Sequence, residues 1–295
     1  MYDIIIIGGG PAGLTAGIYS LRANLKVLII EANAIGGQIA SSPKVENYPG
    51  LKSVSGLELA NSFYDQYTSL GGELVYETVE SFKDGKIKEV ITDENTYQTK
   101  SIIIATGAHH RKLNIEREDE IGGICYCATC DGAFYKGLTV GVVGGANSAV
   151  TSALYLSNIA KKVYILYRGE DLRAEKALCE KALAKDNIEV KYKTVVNKLI
   201  GKDNLEAIEV TCDNKNETLE LDGLFISIGM DANNQIFKDV LDITDKGYAI
   251  SNDTETSLEG IYIAGDVRDK KYRQLTTATN DGTIAAIKAI DYVQK

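Results

Sequence analysis

The chain has 295 residues, 44% hydrophobic and 25% charged, enough for one large or two ordinary globular domains with filled cores, which excludes disorder and fibre. With 32 basic against 41 acidic residues the formal charge is −9, so a phosphate backbone would be repelled and nucleic acid is not an expected partner. The apolar run at residues 4–7 is too short for a signal segment, no window approaches the ~18 uninterrupted apolar residues of a membrane span, and five cysteines, an odd number, suit a reducing cytoplasm better than a secreted disulfide scaffold.

Residues 2–7 read as a strand, Gly8-Gly9-Gly10-Pro11-Ala12-Gly13 as a turn, the next residues to about 23 as a helix, and 26–30 as a second strand closed by Glu31. This is G-x-G-x-x-G in the context it requires. Gly8 makes the turn, Gly10 lets a pyrophosphate approach the backbone, Gly13 lets helix pack on strand, and the helix N-terminus offers free N–H groups. Glu31, eighteen residues past Gly13, is placed to accept from a ribose 2′-hydroxyl. A glycine-rich surface turn would leave Glu31 unexplained.

Residues 36–50 form an irregular loop containing Gly36-Gly37-Gln38 and Asn47. A helix is predicted over 56–70, then a three-stranded meander at 73–79, 86–92 and 96–99, then a buried strand at 102–105 running into Thr106-Gly107, where small residues let backbone approach a ligand.

Two cysteines follow, Cys127-Ala128-Thr129-Cys130-Asp131. That spacing suits a redox disulfide or half a metal site. Zinc wants about four N or S ligands, and Cys179 and Cys212 lack matching pairs while His109 and His110 lie upstream, so no metal is expected. Cys125 adds a third thiol, and spacing leaves a three-sulfur site open. A structural staple is weak because so short a ring removes little unfolded-state entropy. The chemical reading leads.

The second half repeats the first. Residues 138–143 read as a strand, 144–149 as a turn, 150–160 as a helix and 163–166 as a strand; with an offset of 136, Gly8 falls on Gly144, Gly13 on Ala149 and Lys26 on Lys162. A second meander is predicted at 188–192, 205–210 and 218–221, with a buried strand at 224–228 closed by Gly229. The copy, a second βαβ nucleotide unit with Gly145, Asn147 and Ser148 in its turn, departs where chemistry is decided. Ala146 stands for Gly10, putting a Cβ near a pyrophosphate, and Tyr167 stands for Glu31, followed by Arg168 and Arg173. Two arginines without the acid lean towards a 2′-phosphate, hence NADP over NAD; a solvated helix start with a vestigial turn is the bland alternative.

Strands at 254–258 and 261–264 then lead into Gly265-Asp266, with Arg273-Gln274-Leu275 and a last helix from about residue 278. Asp266 after a buried strand suits a ribityl hydroxyl; a plain Gly-Asp turn explains it equally well.

Taken together, Gly8 to Gly13 with Glu31, Gly36-Gly37-Gln38, Asn47, Ala105-Thr106-Gly107, the CATCD string, Gly265-Asp266 and Arg273-Gln274 make the chain resemble, over its whole length, the low-molecular-weight thioredoxin reductases. The resemblance implies an α/β fold of two Rossmann-like three-layer nucleotide-binding domains, the second inserted into the first: an FAD domain at 1–111 and 239–295, and an NAD(P)H domain at 112–238 carrying the redox pair. It implies that NADPH reduces FAD and that FAD reduces a Cys127 to Cys130 disulfide, which passes electrons to a thioredoxin-like protein. Cys130 would face the flavin, Cys127 would attack the substrate, and Asp131 would be the acid and base. Pro11, Ala12, Val79 and Leu275 join the FAD contacts, and a cytoplasmic homodimer is implied. Such enzymes usually carry three glycines in the second turn and a His-Arg-Arg run after the strand, where this chain has Ala146 and Tyr167-Arg168-Gly169. Relatives exist that draw electrons from ferredoxin, which makes a ferredoxin-driven reductase the nearest alternative and a flavin-bound redox sensor one of another class.

Overall fold

A computed structural model describes every residue except Pro43 and the side chain of Gln235. The chain begins with β1 (Tyr2–Ile7), α1 (Pro11–Arg22) and β2 (Val27–Glu31). β1 pairs in parallel with β2, so its isoleucines are buried on both faces, as a parallel strand requires. Gly8 bends the chain at φ +109°, and a side chain at Gly13 would strike the Gly8 carbonyl, so α1 packs this closely only because both are glycine.

The loop predicted over 36–50 contains a 3-10 turn, Gly37–Ser41. Then comes α2 (Gly56–Ser69), opened by a capping box: the Glu58 N–H donates to Ser55 Oγ (3.2 Å) and the Ser55 N–H to the Glu58 carboxylate (2.9 Å). Such a cap contributes about 1 kcal/mol.

After α2 the structure corrects the sequence reading. β3 (Glu73–Tyr76) pairs in parallel with β2 and is the edge of the main sheet, not the first strand of a meander. A strand that returns from a helix through a tight turn, here Gly71-Gly72, lies beside the strand that preceded the helix. The meander is β4 (Val79–Lys83), β5 (Lys88–Thr92) and β6 (Thr96–Ile104), and the strands predicted separately at 96–99 and 102–105 are one nine-residue strand. Its second half pairs in parallel with β1. β7 (Ala108–His110) carries the chain onward.

The next stretch holds β8 (Ile124–Cys125), α3 (Ala128–Asp131), a 3-10 turn (Gly132–Tyr135), β9 (Thr139–Val143), α4 (Asn147–Leu156), β10 (Lys162–Leu166) and α5 (Lys176–Leu183). It continues with β11 (Ile188–Lys191), β12 (Thr194–Ile200), β13 (Ala207–Cys212), β14 (Lys215–Glu220) and β15 (Gly223–Ile226). The same correction recurs: β11 pairs in parallel with β10, and the meander is β12-β13-β14, whose first strand the sequence reading lacks. α4 begins three residues before its predicted start, directly on the glycine turn.

The return leg is β16 (Met230–Ala232), β17 (Ile261–Ile263) and α6 (Leu275–Val293). Residues 254–258, predicted as a strand, make only isolated bridges. α6 starts three residues before its predicted start, where the Gln274 N–H donates to Thr277 Oγ1 (3.1 Å).

The chain forms two compact units, residues 1–109 with 231–295, and residues 110–230. In the first, a seven-stranded sheet of order β3-β2-β1-β6-β5-β4, with β17 beside β6, has α1, α2 and α6 against Ile4 and Ile6. The meander covers the other face, against Ile5 and Ile7. The second repeats the three layers around a five-stranded sheet, β11-β10-β9-β15-β8, with helices packed on Val140 and Val142 and the meander on Leu224.

Candidate active site

The redox segment follows the C-terminal end of β8, the edge strand of the second unit's sheet. β8 pairs with β15, Cys125 opposite Phe225, and two residues later Cys127 caps α3. Cys127 and Cys130 are joined as a disulfide, their Cα atoms 5.2 Å apart, because the single turn of α3 brings residues three apart together. The N–H groups of Cys130 and Asp131 donate to the Cys127 carbonyl (3.2 and 3.0 Å). Cys127 is half-buried and Cys130 exposed.

Asp131 follows directly. Burial pushes its carboxyl up from 3.8 to about 6, since a low-dielectric site disfavours the charged form. The third sulfur, Cys125, is outside the disulfide: its thiol lies 3.2 Å from Tyr135 Oη and burial pushes it up to about 12, which makes it a poor nucleophile. Tyr135, which the sequence reading missed, thereby ties together the two flanks of the redox segment. No group of His, Cys, Asp or Glu able to hold a metal ion occurs among the described residues.

In the first unit the expected turn residues gather at the C-terminal end of β1. Gly10 is the N-cap of α1 and Pro11 its first residue; a Cβ on Gly10 would meet open space, and Ala12 is buried. Glu31 at the end of β2 accepts from the N–H groups of Gly9 (2.6 Å) and Asn33 (2.8 Å), so the acid closes the turn on itself. Gly36, at φ +95°, donates to the Gly9 carbonyl (2.9 Å), and Gly37 sits beside Gly10. Gln38 donates its amide to the Ala108 carbonyl. Ala105, at the exit of β6, donates to the Ile7 carbonyl (2.8 Å); Thr106 Oγ1 is buried without a hydrogen-bond partner, and Gly107 turns at φ +69°. Asn47 stays exposed in its loop, and Val79 is buried in the core with Ile5 and Ile7.

Gly265 and Asp266 follow β17. Asp266 Oδ1 is buried and makes no hydrogen bond, although the Lys270 ammonium is 3.2 Å away. Desolvation raises the Asp266 carboxyl and Lys270 partly offsets it. Behind them Asp281, buried in α6, accepts from the Gly265 N–H (3.1 Å) and pairs with Lys270 (3.0 Å) and Arg268 (2.8 Å). Sequence reading missed Asp281; an acid inside an alanine-rich helix is the signal that could have found it. Arg273 donates to the carbonyls of Asp266, Arg268 and Lys270 and stacks on Tyr248 at 4.0 Å, a brace for this loop, with Gln274 and Leu275 opening α6.

In the second unit Gly144 turns at φ +136°, Ala146 caps α4, Asn147 opens it, and Ala149 is buried. Asn147 exchanges hydrogen bonds with Glu175, and Ser148 is exposed. Tyr167 lies against Gly145 where Glu31 lies against Gly9. Arg168 and Arg173 are exposed, and the Arg173 N–H donates to the Gly145 carbonyl (2.7 Å).

A cysteine pair closed as a disulfide beside a carboxyl of raised pKa, on a chain with two glycine-turn units, is the arrangement of a dithiol oxidoreductase. The sequence model of the pyridine nucleotide-disulphide oxidoreductases matches residues 2–282. The thioredoxin reductase of Bacillus subtilis is 40% identical, over 100% of this chain and 96% of that protein. That of Mycoplasma genitalium is 39% identical, over 99% and 95%. The crystal structure of thioredoxin reductase from Streptococcus pyogenes superimposes with a TM-score of 0.96 at 39% identity, covering 100% of this chain and 98% of that one. The chain therefore belongs to the pyridine nucleotide-disulphide oxidoreductase family, and within it to the low-molecular-weight thioredoxin reductases. Among the described residues no helix is long and apolar enough to cross a membrane.

Proposed function

We propose that the chain is an FAD-dependent thioredoxin-disulfide reductase with a reduced pyridine nucleotide as donor, NADPH first. The observation that carries the reading is the Cys127–Cys130 disulfide with the Asp131 carboxyl held near 6 directly behind it. The discontinuous unit would hold FAD, through Gly8 to Gly13, Glu31, Gly36 to Gln38, Ala105 to Gly107, Asp266 and the loop that Arg273 braces. Its residues fit such a group: the space beside Gly10 is open, and Thr106 Oγ1 and Asp266 Oδ1 are buried polar atoms without hydrogen-bond partners, the kind that the hydroxyls of a ribityl chain satisfy. The second unit would take the nucleotide through Gly144, Gly145, Asn147, Ser148 and Ala149, with Arg168 and Arg173 favouring a 2′-phosphate.

FAD, if bound and reduced by the nucleotide, would supply the electron pair that opens the Cys127–Cys130 bond. Asp131, in its acid form, would give a proton to the sulfur that leaves and, as the carboxylate, take it back, so that Cys127 as thiolate attacks one sulfur of the disulfide of a thioredoxin-like protein while the other sulfur leaves and is protonated. Cys130 then resolves the mixed disulfide and the dithiol returns to a disulfide, so one disulfide is reduced for each electron pair received. Three further cysteines are free thiols, which supports a cytoplasmic site of action, and a homodimer is part of the same reading.

The test is reduction of a thioredoxin by the purified flavoprotein with NADPH or NADH. Turnover that is lost in Cys127→Ser supports the proposal; unchanged turnover in that variant refutes it. One observation favours a second reading, a reductase driven by ferredoxin: an aromatic ring covers Gly145 where the first unit has an acid, and Ala146 adds a Cβ to the turn. Failure of either nucleotide at millimolar concentration to bleach the flavin, with turnover on reduced ferredoxin, would select it.

A further inference from the structure

Behind Asp266, the acid after β17, four charged side chains close on one another. Asp281 pairs with Arg268 through one oxygen (2.8 Å) and with Lys270 through the other (3.0 Å), and that second oxygen also accepts from the Gly265 N–H (3.1 Å). The Lys270 ammonium reaches on to Asp266 Oδ1 at 3.2 Å. The side chains of Asp281, Arg268 and Lys270 are only 6%, 11% and 12% exposed, so each charge depends on the others for the solvation it has lost. The main chain fixes the anchor of this set. At Gly282, the residue after Asp281, α6 passes α1 so closely that a Cβ would strike the Ala12 carbonyl, and a Cβ on Gly265 would stand 3.0 Å from the Ala12 side chain.

Lys270 serves its two acids differently. It donates hydrogen bonds to Asp281 (3.0 Å) and to Thr277 Oγ1 (3.4 Å), whereas the buried Asp266 Oδ1 makes no hydrogen bond. Asp266 receives the charge of the ammonium without its hydrogens. From this geometry we propose that Lys270, aimed by Asp281, is a positioning residue for flavin binding: it holds Asp266 as a carboxylate and leaves that oxygen open to a hydroxyl of the ribityl chain. This rests on the reading of the first unit as the FAD seat. Without Lys270, the charges left facing Asp266 are Arg273, whose guanidinium is committed to three backbone carbonyls, and Asp281, which repels it, with Arg268 behind Asp281. Burial then drives the Asp266 carboxyl further up, and its acid form is the poorer acceptor. FAD affinity in such a variant falls as pH falls.

The test is FAD binding as a function of pH, read without turnover. FAD is stripped from the full chain, and its dissociation constant on return is measured by flavin fluorescence from about pH 8.5 down to about 6. Over that range the wild-type affinity changes by less than about threefold and that of Lys270→Met weakens by about tenfold or more, while Lys270→Arg, which keeps the charge, matches the wild type. The dependence survives in K270M/D281N, because Asp266 and not Asp281 is the group that titrates. Weakening of Lys270→Met by one factor at every pH, a purely structural effect, overturns the proposal, as does a Lys270→Arg variant that behaves like Lys270→Met or a dependence that vanishes in K270M/D281N. Thermal melting of each variant identifies unfolded protein. Lys270→Gln then replaces Lys270→Met, and D266N/K270M, in which the dependence must be absent, replaces K270M/D281N. Wild-type protein that takes up no FAD refutes both this proposal and the proposed function; wild-type protein that binds FAD and reduces thioredoxin, with none of these pH effects in the variants, counts against the role of Lys270 alone.

Discussion

The same strand, glycine turn and helix occur twice, and the two copies finish their turns differently. In the first, an acid at the end of the second strand takes two backbone N–H groups, so the turn is rigid and polar before any ligand arrives. In the second, a tyrosine ring lies on the glycines and the only charges in the neighbouring loop that suit a phosphate are exposed. The first is built like the seat of a resident group and the second like a surface visited by a diffusing one. Only the second unit carries the sulfur pair, so under the proposed function holding and relaying electrons fall to different units.

Removing a sulfur probes that division hardest. Cys130→Ser should lower disulfide reduction by at least about a thousandfold while the purified protein keeps its full flavin content; loss of flavin with the sulfur would mean that the units do not divide the work.

Asp131→Asn comes next. Because burial raises this carboxyl to about 6, its acid form prevails below that pH and is lost above it, so dithiol formation should slow as pH rises through 6, and the variant should be slower by about a hundredfold with that dependence gone. The linkage has the same sign. The folded value lies above the ordinary 3.8, so the stability tied to the protonated form is complete below about 3.8 and is lost as pH rises through 6. After allowance for partial exposure the loss is on the order of 1–2 kcal/mol, and denaturant melts from pH 4 to 8 should be flatter for the variant.

Glycine replacement sharpens the contrast between the turns. Gly8→Ala forces a Cβ into the Ala105 carbonyl at φ +109° and should cost about 2–3 kcal/mol and most of the bound flavin, whereas Gly145→Ala displaces only a half-buried ring and should cost about 1 kcal/mol. Equal losses in denaturant midpoint would erase the distinction. Smallest is the replacement of the two closing side chains. Glu31→Gln should weaken FAD retention by about tenfold, and Tyr167→Phe, which keeps the ring, should leave nucleotide affinity within about twofold.

Much of this was legible in the residues because glycine turns and paired cysteines are local. The repeat at an offset of 136, both turns, Glu31 and the CATCD string needed no tertiary information. Residues 73–76 and 188–191 were misread because an alternating edge strand looks the same whether it pairs in parallel with β2 or β10 or opens a meander; only the preceding helix decides. β12 was missed because it carries Asn197 and Lys198 in its middle, where a register shift turns them outward. Asp281 and Tyr135 act through partners ten or more residues away, Gly265 and Cys125, and such contacts leave no spacing to read. Tyr167 was visible, but the packing of its ring against Gly145 and Gly169 was not.

The relay itself is tested most directly by anaerobic reductive titration of the purified flavoprotein against its Cys130→Ser variant. If the flavin is recharging the Cys127–Cys130 pair, the wild-type protein takes up one electron pair more than the variant before the flavin is fully bleached. Equal uptake by the two would contradict the account.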